Sequence, residues 1–321
     1  MDDLLTAVHD LLPARHDTVM VAVAKEGRTA HATFGAPDGS DGELGSITKG
    51  LTGLLYAQAL ARDEIDSMTR LGDLLDLGNS PAAQLLLGDV AVHRSGLPRL
   101  PHFDRDKSMR ARVKAMKRDG TDPYGDSLEE WLGFARQTRI KRRRFRYSNV
   151  GYSLLGHALA AAAGTSYGAL VQERVLTPVG MHGAYVAAAP SDLRASALPG
   201  TAKNGDVQSA WTGEGIAPAG MVRGTAGDLE ALVQGLAGIT ELPGADALEP
   251  VAKAQAPSMV GAAWLVTPAR GRIVTWHNGM TGGFASFVGA DREAGIGVGI
   301  MSAVASDVTH YGFAAIDAMG A

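Results

Sequence analysis

Ser46 and Lys49, in the run Gly45-Ser46-Ile47-Thr48-Lys49, stand at the head of an apolar segment. On a helix that spacing puts both side chains on one face, separated by a rise of about 4.5 Å. A serine hydroxyl is a poor nucleophile at neutral pH and needs a base beside it. A lysine becomes that base when burial or positive neighbours lower its pKa from its reference of about 10.4. The helix start adds a second resource. Its first N–H groups have no partner within the helix and point toward incoming negative charge. The Ser46 amide is therefore a candidate for half of an oxyanion hole while the Ser46 hydroxyl attacks a carbonyl. The same spacing also suits an ordinary helix start with a solvated lysine, so other residues must decide.

Two later segments bear on that choice. Phe145-Arg146-Tyr147-Ser148-Asn149-Val150-Gly151-Tyr152 precedes an Ala-rich stretch. A tyrosine beside a cationic lysine is driven toward phenolate. Tyr147 then takes the proton of Ser46 and hands it to a leaving group. Asn149 offers one acceptor and two donors for orienting an amide. The competing use of these residues is aromatic packing followed by an Asn helix cap. His277-Asn278-Gly279-Met280-Thr281-Gly282-Gly283 directly follows a predicted strand. Glycines there let a substrate approach the backbone, and a strand edge supplies an N–H toward a developing oxyanion. His277 brings a ring that donates or accepts a hydrogen bond when neutral and that can also carry charge near neutral pH.

Composition narrows the alternatives. The 321 residues carry 30 basic and 34 acidic side chains, a formal charge of -4 that asks for neither nucleic acid nor an anionic membrane. The absence of cysteine excludes disulfides, thiolate chemistry and cysteine-held metals. The nine histidines form no His-Glu-x-x-His arrangement, and no metal or organic cofactor is implied. The start, MDDLLTAVHDLL, is acidic and amphipathic rather than basic and apolar. With no 18-residue apolar span either, a cytoplasmic protein is expected. Lys141-Arg142-Arg143-Arg144 is the one dense basic run, either a solvated loop or a pocket rim favouring acidic substrates.

The elements that must position these residues follow from periodicity. Residues 3–13 read as a short helix. Residues 18–24 and 28–34 read as strands around a Lys25-Glu26-Gly27 turn. Leu51, Leu54, Leu55 and Leu60 form an apolar stripe, so residues 46–62 are predicted as a helix. The middle is helical or short apolar pieces (71–75, 82–87, 128–135, 150–163 and 167–175). Polar loops such as Ser95-Gly96-Leu97-Pro98 and Thr121-Asp122-Pro123 separate them. Thr225 caps another helix, with Asp228 at its third position. Strands are predicted at 261–266, 272–276, 284–288 and 295–301, and a helix at 307–319. Trp264 and Trp276 read as core or cleft residues of that sheet, core first. The simplest topology is one antiparallel sheet built from both termini around a helical insertion.

In this order the segments resemble the serine beta-lactamase-like superfamily. The branch is that of class C beta-lactamases, D-amino-acid carboxypeptidases and aminopeptidases, and family VIII esterases. Ser46 and Lys49 match its Ser-x-x-Lys, Tyr147 and Asn149 its Tyr-x-Asn, and His277 to Gly279 its Lys-Thr-Gly or His-x-Gly. His93-Arg94-Ser95-Gly96-Leu97-Pro98 is similar to its His-Thr-Ser-Gly-Leu-Pro segment, and Pro218-Ala219-Gly220-Met221 to a segment near its pocket. The resemblance implies an α/β fold with an antiparallel sheet flanked by helices. Residues 1–64 and 223–321 would form the sheet unit, residues 65–222 a mostly helical unit, and the cleft would lie between them. It implies Ser46, Lys49 and Tyr147 as catalytic residues and the Ser46 and Met280 amides as oxyanion donors. Asn149, His277 and Gly279 would bind substrate. A serine hydrolase acting through an acyl-enzyme on a small ester or amide is expected first, because His277 replaces the lysine of typical class C enzymes. A beta-lactamase, an acyltransferase or a catalytically silent ligand-binding protein are the alternatives.

Overall fold

The computed structural model describes residues 1–101 and 127–321, with residues 111, 114, 115 and 118 between them. The loop read at Thr121-Asp122-Pro123 lies outside the described residues. The chain opens with a helix, Asp2–Asp10, and the strands β1 (Val19–Lys25) and β2 (Arg28–Phe34). Glu26 and Gly27 turn between them, both at positive φ (55° and 72°), as a two-residue hairpin turn following the right-handed strand twist requires. Five short strands come next: β3 (Gly42–Glu43), β4 (Tyr185–Val186), β5 (Gly200–Thr201), β6 (Val207–Gln208) and β7 (Val222–Gly224). The chain returns to the main sheet with β8 (Ala252–Lys253), β9 (Met259–Val260), β10 (Leu265–Ala269), β11 (Arg272–Met280), β12 (Ala285–Asp291) and β13 (Ile296–Ser302). A helix, Thr309–Met319, follows.

Among the described residues the main sheet has eight antiparallel strands, in the order β2-β1-β13-β12-β11-β10-β9-β8. The two ends of the chain meet where β1 pairs with β13, Val21 opposite Ile300. β1 shows how one sequence serves two cores. Its apolar run alternates faces with the strand period of two. Met20, Ala22 and Ala24 join the cluster under the helices of the middle segment. Val19, Val21 and Val23 join a second cluster beneath the first and last helices. The first cluster is continuous from Leu54 through Leu154 to Leu229, so the middle segment and the sheet share one core.

Two strand boundaries differ from expectation. Residues 261–266 are not one strand: β9 ends at Val260 and β10 begins at Leu265. β11 runs on through His277, Asn278 and Gly279 to Met280, so the glycine-containing motif lies within the strand and not after it. Its pairing with β12, Gly279 opposite Ser286, supplies the support that a glycine lacks on its own. Among the described residues no single helix is long and apolar enough to cross a membrane.

Candidate active site

Ser46 is the N-cap of the helix Ile47–Ala61. Serine at such a position usually caps with its hydroxyl. Here no side-chain cap bond forms, and Ser46 Oγ instead meets Lys49 Nζ at 2.9 Å. Twelve of the helix's fifteen residues are buried, which takes Lys49 out of water as well. Lys49 Nζ donates to the Ala219 carbonyl at 2.6 Å. Thr48 accepts from the Val222 amide and Thr52 donates to the Pro218 carbonyl, clamping this stretch onto the helix. Burial, with the charge of Arg99 second, holds the Lys49 pKa well below the usual lysine range.

Tyr147 precedes the helix Asn149–Ala162. Ser148 caps that helix, accepting from the Gly151 amide at 2.8 Å and donating to the Pro98 carbonyl at 2.6 Å. The cap therefore belongs to Ser148, and the Asn149 side chain lines the cleft. His93, held at φ 57°, stacks on Tyr147 with ring centroids 4.6 Å apart and accepts the Ser148 amide. Burial pushes the Tyr147 phenol up to about 12, against the opposing pull of its hydrogen bond with Ser46 and the charge of Arg99. This corrects the expected phenolate. In the resting site burial disfavours the charged form of Lys49, and Tyr147 keeps its proton.

The third segment approaches from β11. Gly279 fits because nothing larger does: a Cβ there would lie 2.1 Å from the Leu44 carbonyl oxygen and 3.0 Å from the Ser46 nitrogen. Gly45, at φ +53°, meets the Met280 amide as closely, at 3.0 Å from its own would-be Cβ. These contacts bring the Ser46 and Met280 amides to one edge of the cleft. His277 is 1% exposed and is not part of the cleft wall. Its Nδ1 donates to the Asn278 carbonyl at 2.7 Å, and its ring centroid lies 6.2 Å from that of Tyr147. Burial lowers its pKa to about 3, so the charge such a ring can carry near neutral pH is absent. Asn278 donates to Thr309 at 2.8 Å. Trp264 lies in the core, its indole N–H on the Gly50 carbonyl at 3.2 Å.

Ser46, Tyr147, Asn149, Gly279 and Met280 line one cleft of about 690 Å³, room for a small molecule. Its walls include Arg99, Trp211 and Asp307, which sequence reasoning missed because no local pattern marks them. Glu43, three residues before the serine, is also new. It accepts from the Trp211 amide at 2.9 Å and from Arg223 at 3.1 Å, while Arg223 donates to Asp41 at 2.6 Å. Burial raises the Glu43 pKa and Arg223 opposes the rise. A second cavity, of about 420 Å³, lies beside Arg270, Arg272 and Asp317. Its arginines are paired, with Asp317 and Asp291, and it holds no activated nucleophile.

Comparison with known proteins agrees with this fold. A class C beta-lactamase from Rhodobacter sphaeroides superposes with a TM-score of 0.78 at 19% identity, covering 99% of this chain and 98% of that one. An octameric penicillin-binding protein homologue from Pyrococcus abyssi gives 0.82 at 19%, covering 99% and 77%. The Dictyostelium discoideum protein named Beta-lactamase-like protein 2 is 28% identical over 159 residues, 43% of this chain. That stretch spans only 25% of the Dictyostelium protein's length. The family model described as Beta-lactamase matches residues 10–316. On that match, over nearly the whole chain, the protein belongs to the beta-lactamase family.

Proposed function

We propose that Ser46 attacks a small amide or ester carbonyl to give an acyl-enzyme that water then hydrolyses. The observation that carries this is the 2.9 Å approach of Lys49 Nζ to Ser46 Oγ in buried surroundings that lower the lysine pKa well below its usual range. One lysine N–H is committed to Ala219, and the amine lone pair takes the serine proton. Tyr147, protonated at rest and hydrogen-bonded to Ser46, passes a proton to the leaving group and later draws one from the hydrolytic water. These groups titrate as a coupled unit rather than one by one. The Ser46 and Met280 amides receive the oxyanion. Asn149 orients the acyl group, Gly279 lets β11 lie close against the turn that carries Ser46, and His277 supports Tyr147 from behind.

The beta-lactam amide is the substrate class favoured by the family match and by the names of the superposed structures. Simple esters and D-aminoacyl amides are the second reading. The neutral, buried His277 favours it, since the third motif then offers substrate no cation. Turnover of a chromogenic cephalosporin, p-nitrophenyl acyl esters and D-aminoacyl p-nitroanilides separates the two. Fast cephalosporin cleavage with negligible ester cleavage selects the first reading, and the reverse selects the second. Added alcohol or amine that diverts the acyl group into a new product identifies a transferase. A serine-directed acylating probe should label wild type stoichiometrically and Ser46→Ala not at all. Reversible binding without acylation across pH 6 to 9 identifies a silent binder.

A further inference from the structure

Arg99 gives the cleft a cation that the proton relay does not consume. Its guanidinium carbon lies 5.7 Å from the Tyr147 ring centroid, and the residue is exposed on the cleft wall. Among the described residues its side chain has no ion-pair or hydrogen-bond partner. Its carbonyl accepts the Asn149 amide at 3.1 Å, so Arg99 and Asn149 stand side by side. Asn149 is the residue placed to orient the acyl group. An acyl chain running along it from Ser46 therefore passes beside the residue that carries the guanidinium.

The basic run is docked onto the same loop. The Lys141 amide donates to the Gly96 carbonyl at 3.1 Å and the Arg146 amide to the His93 carbonyl at 2.7 Å. Arg143 pairs with Asp89 at 3.0 Å, whereas Arg139, Lys141, Arg142 and Arg144 are exposed and without ion pairs among the described residues. On a chain of formal charge -4 this is a local positive strip against the loop that carries Arg99, and such a field raises the encounter rate of anions. The β11 side of the cleft carries the opposite sign, the exposed Asp307 held by Thr309. A monoanion finds one favourable end, whereas a doubly charged phosphate also meets Asp307. A single guanidinium matches a carboxylate in two-point geometry.

We infer that the acyl part of the substrate carries a carboxylate, that Arg99 binds it, and that the 139–146 strip steers it into the cleft. The inference rests on the hydrolase assignment above. Mono-p-nitrophenyl adipate and p-nitrophenyl hexanoate test it, because they differ only by a terminal carboxylate in place of a methyl group. At low salt the adipate should have a kcat/KM about tenfold or more above the hexanoate, the scale of a hydrogen bond to a charged group. Arg99→Gln should lower that ratio about tenfold, chiefly through KM, and Arg99→Lys should keep part of it. Salt should erode the ratio in wild type, and less so in Arg142→Ser/Arg144→Ser. Thermal unfolding verifies that each variant is folded. Hydrolysis of both esters without a preference, or a preference that Arg99→Gln leaves intact, overturns the inference alone. Cephalosporin turnover with no acylation by either ester also overturns the inference alone, whereas failure of the cephalosporin and of both esters to acylate Ser46 overturns the hydrolase assignment and this inference with it.

Discussion

Replacing Gly279 by alanine tests how the oxyanion edge is built. The added Cβ would lie 2.1 Å from the Leu44 carbonyl oxygen and 2.4 Å from Ser286 Oγ, where ordinary contact begins at 3.4 Å. Backbone must therefore separate by about 1.3 Å to accept one methyl group. Leu44 leads directly into the turn that carries Ser46, and its carbonyl already accepts from Ser286 Oγ at 2.8 Å and from the Ile47 amide at 3.3 Å. The displacement thus reaches the Ser46 amide. Catalytic donors tolerate about 0.5 Å, and a misplacement of about 1 Å costs about 100-fold in rate. Gly279→Ala should lower the acylation rate about 100-fold, as loss of an oxyanion donor does, with an overpacking cost of about 1–3 kcal/mol. Stopped-flow acylation by a chromogenic ester and denaturant unfolding measure the two effects. Adding Ser286→Gly removes the side-chain obstacle but not the Leu44 carbonyl, so the double variant should stay slow. A Gly279→Ala enzyme that acylates within about threefold of wild type would refute this reasoning. Recovery in the double variant would assign the obstacle to Ser286 instead.

Three further outcomes are expected. Burial holds Lys49 below its ordinary pKa, so up to about pH 10.4 the unfolded chain binds a proton that the native one lacks, and native stability rises with pH across that window. Lys49→Met should lose acylation yet be more stable at pH 7. Its advantage should shrink by up to about 1.4 kcal/mol per pH unit toward pH 10, and denaturant titrations showing a constant gap would count against this. His277, lowered to about 3 from 6.5, makes native stability fall as pH drops through that interval; His277→Gln should remove this loss, and the wild-type rate profile should show no histidine inflection between pH 5 and 8. Arg223→Met leaves Asp41 and Glu43 buried without their cation and should cost about 3–5 kcal/mol in calorimetric or denaturant unfolding.

The parts readable from the chain alone are those decided by neighbours in sequence. Ser46 and Lys49 share a helix face because they lie three positions apart, whatever surrounds the helix. Thr225 and Asp228 form their reciprocal cap within one turn. Glu26-Gly27 turns a hairpin whose strands announce themselves by alternation. The order of strands, helices and strands was enough to join the two termini in one sheet. What sequence reasoning missed depends on segments that meet only on folding. The same Tyr147 reads as a phenolate from its motif and is a protonated phenol in place, because burial outweighs the pull of Ser46 and Arg99. The Lys49 pKa is lowered because folding buries it against stretches such as 217–222. Gly279 reads as room for a ligand, yet it also admits the Leu44 carbonyl, some 235 residues earlier in the chain. Arg99, Trp211 and Asp307 carry no motif, and their place at the cleft is set by packing over long sequence distances. Backbone geometry over three or four residues is local, whereas burial and electrostatic field are sums over everything that folding brings near. For that reason the nucleophile is legible in the sequence, while its protonation state and the charge facing its substrate are properties of the folded molecule.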